Sequence, residues 1–399
     1  MKVGLLTTSF PRYAHDVAGN FVLGFARALH QHGHDIEVLA PEPRDDFARC
    51  DEPGIALRHV PYARPRHLQR TFYGAGVPDN LARDPLAWLG LAPFCASLVF
   101  SARARRSHWD AIVSHWALPC ALAAGAVRAH RPHLAVLHSA DIHVLSRLPA
   151  RAQLARAIAR GADALWFVSD AQRTRFCTLL PRYEPLPRTL ICPMGIDAPT
   201  QEVFDADTRA EFRRRHQLHG FCVLLLGRHV SIKGYDIALR AAAMGGDITL
   251  LIAGEGPMRA SWMRQARENN LRVRWLGAVH GDEKQRWLRA ADAFALPSRM
   301  LANGRSEGLP CALLEALASG LPAVASDLPG IRELRTIAPS LLLVPPDDPA
   351  ALHHALLTLR DTTAADESHM LTARAIREQF GWQNVGLRLN ALLSRGVAV

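Results

Sequence analysis

Aromatic residues make up only 7% of this 399-residue chain, and its seven cysteines never fall as C-x-x-C. Scattered at 50, 95, 120, 177, 192, 222 and 311, and odd in number, they argue against a disulfide-stapled secreted scaffold. They point instead to unpaired thiols in a reducing compartment. There is no H-E-x-x-H, no Walker loop and no Ser-His-Asp motif, so zinc-peptidase, P-loop and serine-hydrolase chemistry lack a signature. Internal repeats and low-complexity tracts are absent as well. The opening run Lys2–Thr7 is too short for a signal peptide and reads as a first strand, so the cytoplasm is the expected address.

Acidic residues are missing from two stretches. Arginines 58, 64, 66 and 70 lie between Pro53 and Pro78 with no Asp or Glu, and 103, 105 and 106 lie between Pro85 and Trp109 likewise. The net charge is +10, and the excess is concentrated in the first half, where residues 1–200 carry 23 basic against 16 acidic side chains. Few aromatics and no recognised motif accompany this charge, which speaks against nucleic acid and favours an anionic membrane surface. Segment 86–102 is apolar and ends at Arg103-Ala104-Arg105-Arg106. It is shorter than the roughly 20 residues of a membrane span, and Pro93 interrupts it. Two readings stay open: a buried helix, or an interfacial helix lying on headgroups.

Hydrophobic residues, by contrast, are plentiful at 49%, enough for two cores. Short apolar runs alternate with amphipathic segments, the pattern of doubly wound α/β domains. Strands are expected at 2–7, 35–40, 56–60, 110–114, 134–138, 163–168 and 189–192, then at 221–226, 248–253, 272–276, 292–296, 322–326 and 341–344. A linker is expected within Pro193–Gly220. Asp205-Ala206-Asp207 spells D-x-D, a metal-binding pattern elsewhere. Here it precedes a helix, so Asp207 reads more simply as an N-cap, and no metal site is expected.

The chemistry gathers around Ser306–Pro322. Glu307 sits in a Gly/Pro turn after a strand, and Glu315 lies two helical turns further on. In an open parallel sheet, ligands bind beyond the strand C-termini, so one carboxylate can accept from sugar hydroxyls and the other from a ribose. Arg228 and Lys233 follow strand 221–226, again at a strand C-terminus, where a helix N-terminus adds its amides.

The segment resembles the E-x7-E signature of retaining nucleotide-sugar glycosyltransferases, family 4. The likeness runs in order from about residue 3 to 385. It includes Ala18-Gly19-Asn20-Phe21, His138-Ser139-Ala140-Asp141, Met194-Gly195-Ile196-Asp197, Gly227-Arg228, Lys233-Gly234 and Ala253-Gly254-Glu255-Gly256-Pro257. The resemblance implies an α/β GT-B fold of two facing Rossmann-like domains with a cleft between them. An acceptor-binding domain would cover 1–195, a nucleotide-sugar-binding domain 196–380, and a terminal helix, 381–399, would cross back to the first. It implies that Arg228 and Lys233 contact a diphosphate, meeting the charge that develops as the nucleotide leaves. Glu307 and His138 would act at the sugar. Gly19, Gly254, Gly256, Gly308, Leu309, Pro310 and Glu315 would line the donor. Ser139 replaces the family's glycine beside His138, and Asp141 would orient His138 or touch the acceptor.

The implied reaction is hexosyl transfer with retention, from a UDP- or GDP-sugar used as co-substrate, with no cofactor or metal. The leaving phosphate would help to deprotonate the acceptor. The expected acceptor is a glycan or a polyprenyl-diphosphate-linked sugar at the cytoplasmic membrane face, in polysaccharide or glycolipid synthesis. A soluble small-molecule acceptor is the nearest alternative. A nucleotide-sugar epimerase and a non-catalytic basic binding protein are the more distant ones.

Overall fold

Short runs rich in aliphatic and β-branched residues make most of the strands, and among the described residues the sheet strands all pair in parallel, which requires helical crossovers covering both faces. The computed structural model describes residues 1–13, 16, 18–45, 52–74, 76–197, 205–361 and 367–394. The chain divides into one unit of Met1–Gly195 with Trp382–Val399, and a second of Ile196–Gly381. Cys50 and Pro199 lie outside the described residues.

The first unit holds β1 (Lys2–Leu6), β2 (Asp35–Pro41), β3 (Ile55–Val60), β4 (Ala111–His115), β5 (His133–Leu137), β6 (Ala164–Phe167) and β7 (Arg188–Ile191). Their order is β3-β2-β1-β4-β5-β6-β7. The order reverses between β1 and β4, whose register sets Leu5 beside Val113. The second unit holds β8 (Phe221–Leu226), β9 (Ile248–Ala253), β10 (Val273–Gly277), β11 (Ala293–Leu296), β12 (Ala323–Ser326) and β13 (Leu342–Val344). Here the order is β10-β9-β8-β11-β12-β13, reversing between β8 and β11. A loop leaving either strand at such a reversal opens onto a crevice that no crossover covers.

Period-2 alternation decides the two layers of core. On β8, Cys222, Leu224 and Leu226 pack with Phe294, Leu313 and Leu314. Phe221, Val223 and Leu225 face the other way, onto Tyr235, Ile237 and Trp262. The strand is therefore apolar throughout, as burial on both faces demands. The helix Trp382–Ser394 belongs to the first unit, where Trp382 fills the space a side chain would need at Gly24 and Gly195. His34 of that unit is buried, and its Nε2 lies 3.0 Å from Asn390 Oδ1 of the same helix.

Several local expectations need correction. Asp205, not Asp207, caps the helix Ala206–Arg215, accepting from the Thr208 amide at 2.8 Å. His138 caps the helix Ser139–Leu145 rather than ending β5. The apolar segment is longer than expected: helical turns run from Pro85 to His108, 24 residues. Phe94, Leu98 and Ala102 anchor it in the core, but Trp88, Leu89 and Phe100 are 58%, 71% and 75% exposed. It is thus not a simple buried helix.

The acid-free arginines are also less free than the local sequence suggests. Arg58 and Arg105 pair with Glu37. Arg64 and Arg66 pair with Glu42, and Arg70 with Asp84. Arg106 bonds the Val127 carbonyl at 3.2 Å. Of the seven, exposed Arg103 alone has neither ion pair nor hydrogen bond among the described residues.

Candidate active site

In the second unit the loop after β8 is built on close backbone contacts. Gly227 and Gly254 touch so tightly that a Cβ on Gly254, at φ +121°, would sit 1.9 Å from the Gly227 carbonyl. Gly256 would meet the His229 carbonyl in the same way, at 2.6 Å. The His229 amide bonds the Glu255 carbonyl at 2.8 Å, and its own carbonyl accepts from Met258 at 3.0 Å. Gly254 and Gly256 thus clamp the loop, and exposed Arg228 is presented from a pinned backbone. Gly234 closes the turn Ser231–Lys233 at φ +62°, where any Cβ would strike the Pro297 carbonyl at 1.9 Å. Only glycine permits that approach. It draws the β8 loop against the loop that follows β11.

Two partly buried ion pairs lie at the ends of these strands. Lys233 Nζ lies 3.1 Å from Glu307 Oε1. Lys284 Nζ, on the helix Gly281–Ala290, lies 2.8 Å from Glu315 Oε1 on the helix Cys311–Ala318. Burial pushes the Glu315 carboxyl above its ordinary range and Lys284 opposes the shift. Burial likewise works against the Lys284 ammonium, but Glu315 outweighs it, with Asp197 adding to the pull. Cys311 falls within the field of Glu315, Lys284 and Lys233, and burial pushes its thiol up to about 12. It is therefore a neutral neighbour, not a nucleophile. Pro310 is the N-cap of helix Cys311–Ala318, Leu309 packs on the core below, and the Gly308 carbonyl touches Gly330 so closely that a Cβ there would sit 2.5 Å away.

Sequence reasoning missed Lys284. A signal was present, since the chain has only three lysines, Lys2, Lys233 and Lys284, against 44 arginines.

In the first unit, Gly19 takes the left-handed conformation at φ +73° and starts the helix Asn20–Gln31. A Cβ there would meet the Ser9 carbonyl at 2.5 Å. The next turn brings Phe21 to 5.1 Å from the His138 ring. His138 is buried, and burial lowers its pKa to about 3, so the ring is neutral at pH 7. Its ring accepts from the Asp141 amide in a reciprocal cap, and its Nε2 lies 3.2 Å from His115 Nδ1. A neutral ring accepting at Nδ1 carries its proton at Nε2, so His138 donates to His115. His115 then holds its own proton on a buried Nε2 that has no partner among the described residues. Asp141 accepts three backbone amides, from Ala117 at 2.6 Å, His138 at 3.1 Å and Ile142 at 2.8 Å. It therefore orients His138 through the backbone, and burial pushes its carboxyl up to about 7 against those amides.

Within their units, then, the structure gathers Arg228, Lys233, Glu307, Gly254 and Gly256 around the β8–β11 reversal, with Glu315 beside Lys284. Gly19, His138 and Asp141 gather around the β1–β4 reversal. Among the described residues no cluster of three or more His, Cys, Asp or Glu has metal-binding geometry.

Comparison with known proteins bears on what these arrangements serve. A family model described as glycosyl transferases group 1 matches residues 220–362, and one described as glycosyl transferase 4-like domain matches 18–187. The chain is 32% identical over 352 residues to the GDP-mannose-dependent alpha-(1-6)-phosphatidylinositol monomannoside mannosyltransferase of Mycobacterium tuberculosis, a match spanning 83% of this chain and 82% of that one. It is 35% identical over 172 residues to the amylovoran biosynthesis glycosyltransferase AmsK of Erwinia amylovora, where the match spans 42% of each chain, under half of that relative's length. Sucrose-phosphate synthase from Thermosynechococcus elongatus superposes with a TM-score of 0.77 over 99% of both chains at 20% identity. Anabaena HepE in complex with UDP gives 0.72 over 99% of this chain and 100% of that one, at 18%. At those identities the structural likeness speaks to the fold alone.

Proposed function

Since the chain belongs to the group 1 glycosyltransferases and carries their GT-B fold, we propose that it transfers a hexosyl unit, with retention, from a nucleotide-diphosphate sugar to a membrane-associated glycan or glycolipid acceptor. The observation that carries the donor half is the Lys233–Glu307 pair at the β8–β11 reversal. Arg228 and Lys233 supply fixed positive charge where the diphosphate departs. Glu307 accepts from sugar hydroxyls, Glu315 from the ribose, and His138 helps to place the sugar. The departing phosphate takes the acceptor proton, and no metal is asked of the chain.

Thermal-shift screening against UDP- and GDP-sugars tests donor binding, because only ligands of the native state raise the midpoint. Arg228→Ala or Lys233→Ala should lower turnover about 10²-fold or more, and normal turnover in both would refute the assignment. Product anomeric configuration, read by proton NMR, tests retention.

The acceptor half rests on Leu86, Trp88, Leu89 and Phe100, all exposed on one helical stretch beside Arg103. One relative is by name a phosphatidylinositol monomannoside mannosyltransferase, which supports a lipid acceptor, and the transfer is proposed to occur at the cytoplasmic membrane face. Because most nearby arginines are internally paired, apolar insertion should dominate. Flotation with anionic vesicles should persist at high salt and fall sharply in Trp88→Ser/Leu89→Ser/Phe100→Ser. Binding abolished by salt alone, or unaffected by the triple substitution, would sink this reading.

A further inference from the structure

Arginine does nearly all the cationic work in this protein, with 44 arginines against three lysines. Ion pairs such as Arg12–Asp16, Arg213–Asp292 and Arg299–Asp236 follow that habit. The exceptions are Lys233 and Lys284, and each meets one of the two site glutamates.

The chemical difference is one of geometry. A guanidinium fork engages both oxygens of a carboxylate, whereas an ammonium is a point donor. Arg332 shows the first behaviour, with Nε 2.7 Å from Asp327 Oδ1 and Nη2 2.9 Å from Oδ2. Lys284 shows the second, bonding Glu315 Oε1 at 2.8 Å. Among the described residues Glu315 Oε2 makes no hydrogen bond. The pair is enclosed, with side chains 17% and 12% exposed. A longer bidentate cation there would cover the second oxygen.

We propose that Lys284 is a positioning residue for the nucleotide ribose: its ammonium holds Glu315 ionised through Oε1 and leaves Oε2 to accept from ribose hydroxyls, a task arginine cannot fill. The proposal rests on the reading of Glu315 as the ribose carboxylate. It goes beyond charge compensation, because compensation alone is satisfied by Lys284→Arg.

Calorimetry on the full chain tests it. The probes are UDP or GDP, whichever raises the parent's thermal midpoint, and the matching 2′,3′-dideoxynucleoside diphosphate. Glu315→Gln and Lys284→Arg should each bind the ribose nucleotide at least about tenfold more weakly than the parent. All three proteins should bind the dideoxy analogue within about threefold of one another. The Lys284→Met/Glu315→Gln double variant, which removes both charges together, should behave as Glu315→Gln does and serves where a single variant fails to fold. Parent-like affinity in Lys284→Arg, with Glu315→Gln weakened, overturns the inference and leaves the ribose reading standing. Unchanged affinity in Glu315→Gln overturns the ribose reading and the inference with it. Equal losses against both nucleotides in Lys284→Arg mean general disruption and also overturn the inference.

Discussion

Acid should loosen the loop that carries Arg228, and one histidine sets the size of the effect. His229 is fully buried, its ring centroid 5.7 Å from Tyr235, 5.5 Å from Trp262 and 5.8 Å from Trp275. Among the described residues neither ring nitrogen has a hydrogen-bond partner. Burial lowers its pKa to about 4, although Glu255 and the Ala253 carbonyl favour the charged form. The unfolded chain protonates near 6.5, so the unfolded state takes the proton first as pH falls. Stability is therefore fully present above about pH 6.5 and is lost on the way down to about 4. At about 1.36 kcal/mol per pK unit, this one group should cost about 2 kcal/mol at pH 5 and about 3 kcal/mol below pH 4. His229→Leu removes the titration. Denaturant unfolding of parent and variant at pH 7.5 and pH 5 should give a parent that loses about 2 kcal/mol more than the variant over that interval. Using the difference cancels the packing change and the other buried histidines, such as His133, which burial lowers to about 4. Equal pH dependence in the two proteins would falsify the reasoning.

Three further outcomes are expected. Gly254→Ala forces a Cβ onto the Gly227 carbonyl at 1.9 Å and should cost at least about 2 kcal/mol while weakening nucleotide diphosphate binding; a thermal midpoint and affinity equal to the parent's would contradict the clamp. Asp205→Ala should cost about 1 kcal/mol through loss of the helix cap, and Asp207→Ala far less, as measured by unfolding. His115→Leu leaves the His138 Nε2 proton buried without an acceptor, costing about 1–3 kcal/mol, and His115→Asn should recover part of it; nitrogen NMR finding the His138 proton on Nδ1 in the parent would defeat the argument.

Much of the fold was legible because its signals are local. β8 and β9 fall at 221–226 and 248–253, as expected, since aliphatic runs of strand length between turn residues leave little choice. Boundaries elsewhere moved by a residue or so, where His138 and Asp205 cap helices with their own side chains. The E-x7-E spacing pointed to Glu307 and Glu315, and Gly227-Arg228 with Lys233-Gly234 pointed to the loop beside them. What Gly254 and Gly256 do was less legible, because their neighbours come from another strand's loop.

The sequence by itself determined the alternation of strands and helices, the parallel class of both sheets and the family, because periodicity and motif order are properties of the chain read in line. Only the tertiary structure decided which charges meet. Glu37 and Arg58 approach because β2 and β3 lie in parallel register, Leu39 beside Arg58, and that pairing turned an apparently bare arginine stretch into a largely compensated one. Lys284 and Glu315, 31 residues apart, meet because the helices that carry them share one core layer of the second unit. Coulomb energy and hydrogen bonds depend on separation in space, which no local pattern encodes until the sheet order has brought distant loops together.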